Sequence, residues 1–158
     1  MASLQNNCIG EEELIPFLRE RLDAGQKVRY LPFRGVSMMP MLRQGKDSVE
    51  LAPLPEKLKK YDLPVYQYPS GKVVMHRVVE VKDDHYICLG DNEIRLEKIY
   101  PEQMIAVVSA FKRGDRRIEA DAWGYRLYSR IWVCLYPMRR FYRCTKIRIK
   151  KVLRRLIK

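Results

Sequence analysis

The chain has 158 residues, 47% of them hydrophobic and 32% charged, with a mean hydropathy of −0.37. That is enough apolar material for the core of one domain, which excludes a disordered chain, and too much charge for a polytopic membrane protein. The net charge of +12 sits at one end: 19 Lys/Arg balance 19 Asp/Glu up to residue 122, while residues 123–158 carry 12 Lys/Arg and no acid. The sequence therefore reads as a neutral domain over 1–122 followed by a basic tail over 123–158.

The first residues, MASLQNNCIG, are polar and lead into three acids, with neither a basic n-region nor an apolar h-region. A cytoplasmic location is the expectation, peripheral on the inner face of the membrane. Glu11, Glu12 and Glu13 followed by Leu14, Phe17, Leu18, Arg21 and Leu22 predict a short amphipathic helix. Its acids suit the positive helix N-terminus, Pro16 suits the first turn, and Gly25 suits the position after the end. From Lys27 the period changes to two. Val28 and Tyr30, Val49 and Leu51, Val65 and Tyr66, and Val73 to Val81 predict strands, with Pro53, Pro55, Pro69, Ser70 and Gly71 marking turns. Tyr86 to Leu89 is placed to fold back on Val74–Val81 as a hairpin. Ile105 to Phe111 is one more strand, ended at Arg113-Gly114-Asp115. The expected fold is mainly β with flanking helices.

The tail changes period again. Tyr128, Ile131, Trp132, Leu135 and Tyr136 share one helical face, and Pro137 breaks the run. Met138, Phe141, Tyr142, Thr145, Ile149, Val152, Leu153 and Leu156 repeat the pattern with Arg and Lys opposite. Two basic amphipathic helices follow, too short and too charged to cross a bilayer. An anionic membrane surface is their expected partner, with the tail lying flat on it. The plainer alternative docks residues 123–136 on the core and leaves 138–158 solvated. Nucleic acid is disfavoured, because the aromatic rings are segregated from the cations.

Chemistry is concentrated in three segments. Four cysteines (Cys8, Cys88, Cys134, Cys144) form no CxxC pair and only His76 and His85 accompany them, so free thiols are expected, and neither a metal nor a cofactor. In Arg34-Gly35-Val36-Ser37-Met38-Met39-Pro40, a serine stands in a Gly/Pro turn that can present its hydroxyl beside converging backbone N–H groups. Gly35, Met38 and Pro40 around it are the expected substrate-binding residues. A lone serine needs a base, and His76, among Val and Met in a predicted strand, can supply one; the ordinary imidazole pKa is about 6.5. Leu89-Gly90-Asp91-Asn92 ends the returning strand of the hairpin and can aim Asp91 back at His76. Glu97 is the rival acid. Asp91 is preferred for the rigidity of its turn.

These segments, with Gly45-Lys46-Asp47-Ser48-Val49-Glu50-Leu51, Tyr61-Asp62-Leu63-Pro64-Val65-Tyr66 and His76-Arg77-Val78-Val79 in the same order, resemble the boxes of the type I signal peptidase superfamily, which also holds the self-cleaving SOS repressors. The resemblance spans roughly residues 28–112 and implies a serine peptidase on a coiled, partly barrel-like β fold. It implies Ser37 as nucleophile and His76 in the general-base position, with Asp91 in the Gly-Asp turn and Glu97 where His-type members carry a further acid. Lys46 stands between Gly45 and Asp47 where the family has an adjacent Gly-Asp pair, and Pro64 predicts an edge strand or a bulge. The expected function is endopeptidase cleavage of a peptide or leader segment near a membrane surface. The alternatives are a non-catalytic peptide- or membrane-binding module on the same fold, or nucleic-acid binding through the tail.

Overall fold

Helix α1 spans Glu11–Asp23 and buries Leu18 and Leu22. Its end is closed by Gly25 in the left-handed region (φ 71°), whose N–H donates to the Leu22 carbonyl while Gln26 N–H reaches that of Arg21. Pro16 lies inside the helix, a turn later than expected. A computed structural model describes residues 11–30 and 35–156; Cys8 and Arg34 lie outside them.

Nine strands follow: β1 Val28–Tyr30, β2 Asp47–Ala52, β3 Pro64–Gln67, β4 Val73–Met75, β5 Arg77–Val81, β6 Tyr86–Leu89, β7 Glu97–Ile99, β8 Met104–Arg113 and β9 Arg116–Glu119. They form two antiparallel sheets. The larger runs β1-β2-β8-β3-β4, with β9 also paired to β8; the smaller is β5-β6-β7. Strand β8 is the spine, pairing β2 on one edge, and β3 then β9 along the other. Alternation in β2 turns Asp47, Val49 and Leu51 inward, as period two requires. Pro64 opens β3, where a missing N–H is tolerated. That strand is interior, however, and the irregularity falls between Val65 and Tyr66 opposite β8. The described residues are thus mainly β with three α-helices.

The single strand expected over Val73–Val81 is two. β4 pairs β3 in the larger sheet, β5 pairs β6 in the smaller, and His76 is the residue between them. The expected hairpin therefore contains only β5 and β6. The chain changes sheets at His76, and that corner lets two neighbouring side chains serve different layers.

Helices α2 (Trp123–Cys134) and α3 (Tyr136–Leu156) complete the chain, with Pro137 in the first turn of α3, where its lost N–H costs nothing. α2 is joined to the β core: Tyr125 is buried edge-on to Phe111, ring centroids 4.9 Å apart, and Ser129 is buried beside it. The face expected from spacing is split. Tyr128, Trp132 and Tyr136 turn to the protein, while Ile131 and Leu135 are exposed. Among the described residues, no helix is long and apolar enough to cross a membrane.

Candidate active site

The corner residue His76 is 5% exposed, and its Nδ1 edge faces a carboxylate and a phenol. Nδ1 lies 2.9 Å from Glu97 Oε2 and 2.9 Å from the Tyr66 hydroxyl, and that hydroxyl donates to the same Glu97 oxygen at 2.6 Å. Glu97 comes from β7, Tyr66 from β3, so the group spans both sheets. Burial alone would raise the Glu97 carboxyl. Hydrogen bonds from His76, Tyr66 and Tyr68 outweigh it and bring the value down to about 2. Burial first, then the hydrogen bond to Glu97, pushes the Tyr66 phenol far above its ordinary range, so it stays a donor. Because Glu97 is ionised and the Tyr66 proton is committed to it, the proton between ring and carboxylate belongs to Nδ1. That fixes the tautomer and leaves the Nε2 lone pair available.

On its Cδ2 side the ring lies near the backbone of Ser37. Gly90 is wedged between them: a Cβ there would stand 3.1 Å from His76 Cδ2, the carbon bonded to Nε2, and 2.9 Å from the Ser37 carbonyl oxygen. No larger residue fits without parting the two. Asn92 N–H donates to that carbonyl at 2.6 Å, so the serine turn is tied to the Gly90-Asp91-Asn92 turn by backbone alone. The serine turn is itself braced, Met39 N–H bonding to Val36 and Leu42 N–H to Met38. Ser37 is half-buried; among the described residues its hydroxyl and its N–H make no hydrogen bond. A nucleophile–base bond that closes only with substrate is common in unliganded sites.

Asp91 does not orient His76. It is 2% exposed and pairs two-pronged with Arg77, Nε to Oδ1 at 2.9 Å and Nη2 to Oδ2 at 2.7 Å. The Arg77 guanidinium, fully buried, also donates to Tyr125 Oη and Ser129 Oγ, each at 2.8 Å. Burial alone would lower its pKa, but Tyr125 and Asp91 more than offset that. The preference for Asp91 is thereby corrected. The buried arginine beside it claims both carboxylate oxygens, and the acid on His76 is Glu97. The Met38 side chain is buried in the core with Met41 and Leu42 and is not presented beside Ser37. The apolar side chains exposed around Ser37 are Val36 and Met39. Gly35 and Pro40 are exposed, the latter after a cis peptide bond. His85 lies apart, against Asp84 in the β5–β6 turn.

Two contributors escaped the sequence reading. Tyr66 is visible there only as an inward strand residue, although a tyrosine at a core position must find a partner for its hydroxyl. Arg77 is visible as a charge in an otherwise apolar run, a pattern that signals a buried partner. Among the described residues no three His, Cys, Asp or Glu side chains gather as metal ligands would. Burial pushes the Cys88 thiol up to about 12, which leaves it unreactive. Comparison with family models, curated proteins and solved structures finds no match.

Proposed function

We propose that the chain is a serine endopeptidase of the signal-peptidase-like type, on that superfamily's coiled β fold, with Ser37 as nucleophile, His76 as general base and Glu97 as the acid that orients it. One observation carries the reading. His76 is held by its Nδ1–H against an ionised carboxylate, and across Gly90 its Cδ2 side adjoins the Ser37 backbone, so that in this reading Nε2 serves the serine. That is the division of labour a hydroxyl nucleophile requires.

Ser37 Oγ attacks the scissile carbonyl carbon as its proton passes to His76 Nε2. The imidazolium so formed is stabilised by Glu97, which keeps its charge. The carbonyl oxygen becomes an oxyanion, for which the Ser37 N–H, without a hydrogen bond among the described residues, is a backbone donor at hand. The tetrahedral intermediate collapses, the C–N bond breaks, and His76 returns its proton to the leaving amine. Water, deprotonated by the same imidazole, then releases the acyl group from Ser37. Val36 and Met39, exposed on both sides of the nucleophile, offer apolar contacts to the residues flanking the cleaved bond.

Incubation of the full chain with a diverse peptide mixture, read by mass spectrometry of new termini, tests this. The wild type should cut a consistent subset, Ser37→Ala and His76→Ala should cut none of it, and Ser37→Ala should keep the wild-type melting temperature. Cleavage that survives in Ser37→Ala overturns the reading. A wild type that binds these peptides uncut favours a binding module instead.

A further inference from the structure

Helix α3 is docked the wrong way round for a soluble amphipathic helix. Such a helix turns its apolar stripe to the protein. Here the contacts come from Tyr136, Arg139 and Arg143: Tyr136 Oη donates to the Ile94 carbonyl at 2.8 Å, Arg139 to the Asp91 carbonyl, and Arg143 to the Asn92 carbonyl. Arg139 also lies over the Trp132 ring, 4.2 Å from its centroid. The apolar stripe faces out instead. Met138 is 69% exposed, Phe141 75%, Tyr142 66% and Ile149 54%. α2 adds a second outward row at every fourth residue, Trp123, Leu127, Ile131 and Leu135.

We infer that this outward face of α3, assisted by the row on α2, is a docking surface for an anionic lipid bilayer. Charge selects the occupant. From residue 123 onward there are 12 Lys/Arg and no acid, so a second copy of the chain would bring like charge to like. Lys146 and Arg148 are exposed on either side of the apolar stripe, where they reach headgroup phosphates as the rings enter the acyl boundary. A nucleic acid would need cations on the outermost face, but apolar groups hold it, and Arg139 and Arg143 are spent on backbone carbonyls. Because no described helix is long and apolar enough to cross, the surface lies along the membrane. The surface stands whether or not the chain is a peptidase.

Sedimentation of the full-length protein with vesicles, at low salt, tests it. Vesicles of phosphatidylcholine and phosphatidylglycerol in equal parts should bind at least ~10-fold more tightly than phosphatidylcholine alone. Phe141→Glu with Tyr142→Glu, at exposed positions and therefore leaving the circular dichroism spectrum unchanged, should weaken that binding at least ~10-fold. Phe141→Trp with Tyr142→Trp should restore it, and Lys146→Glu with Arg148→Glu should remove the preference for anionic vesicles. Equal binding by the double-Glu variant and the wild type would overturn the inference. So would no vesicle binding, tighter binding of double-stranded RNA than of vesicles, or a concentration-dependent dimer that the double-Glu variant abolishes.

Discussion

His76 and Arg77 are adjacent in sequence and both nearly inaccessible, yet each belongs to a separate carboxylate and a separate task. Arg77 faces Asp91 in a sealed cluster with Tyr125 and Ser129, where every partner is fixed and nothing is left to react. His76 faces Glu97 with Nδ1 engaged, its Cδ2 side lying across Gly90 from the backbone of a half-buried serine. The change of sheet at residue 76 sends the two side chains to different layers. In the proposed reading, two acid–base pairs of similar composition are divided into a brace and a reactive group by how many of their polar atoms are used up. The brace also supports the site. The turn that supplies Asp91 holds the Ser37 carbonyl through Asn92 and the α2–α3 helices through Trp132.

Breaking the brace should have the largest effect. Asp91→Ala leaves the Arg77 guanidinium buried without its counter-ion, a loss of about 3–5 kcal/mol, readable as a lower urea midpoint. The same substitution at His76 should fall mainly on the rate, costing at least ~10²-fold in cleavage while lowering the urea midpoint less than Asp91→Ala does. His85→Ala, in the exposed β5–β6 turn, should be silent on both measures.

Glu97→Gln sharpens the contrast through pH. The carboxyl goes from an ordinary 4.5 to about 2 in the folded chain, so its contribution is full above pH 4.5 and is lost as pH falls toward 2. The stability difference between wild type and Glu97→Gln should therefore be on the order of 2 kcal/mol at neutral pH and shrink across that acid window. Tyr66→Phe should be milder. It removes the hydroxyl's contacts with Glu97 and with His76 Nδ1, costs about 1 kcal/mol, and leaves the Nδ1 contact with Glu97 in place, so cleavage should fall less than in Glu97→Gln.

Most of the strands, α1 and the two tail helices were legible because period two and period 3.6 are written into the apolar pattern, whereas β7 and β9 were not; Ser37 and His76 were legible as candidates from the turn and from the resemblance. What stayed hidden was pairing across the chain. Nothing local distinguishes Asp91 from Glu97 as a partner for His76. The choice is made by Arg77, whose demand for a buried counter-ion removes Asp91 from contention, and by the packing of β7 against β6, which brings Glu97 across from Tyr66. The split of Val73–Val81 was hidden for a related reason: valines suit either sheet, so only the competition of β3 and β6 for partners ends one strand before His76 and begins the next after it. The orientation of α3 could not be read from its wheel, because arginines satisfied by carbonyls can displace an apolar face from the core.

The central claim is that Ser37 is activated by His76 under the control of Glu97. Labelling of the full chain with a fluorophosphonate, followed by peptide mapping, measures this without knowledge of the substrate. One adduct is expected on Ser37, abolished in His76→Ala, slowed in Glu97→Gln and retained in His85→Ala. An unlabelled Ser37, or labelling that proceeds at the same rate without His76, would contradict it.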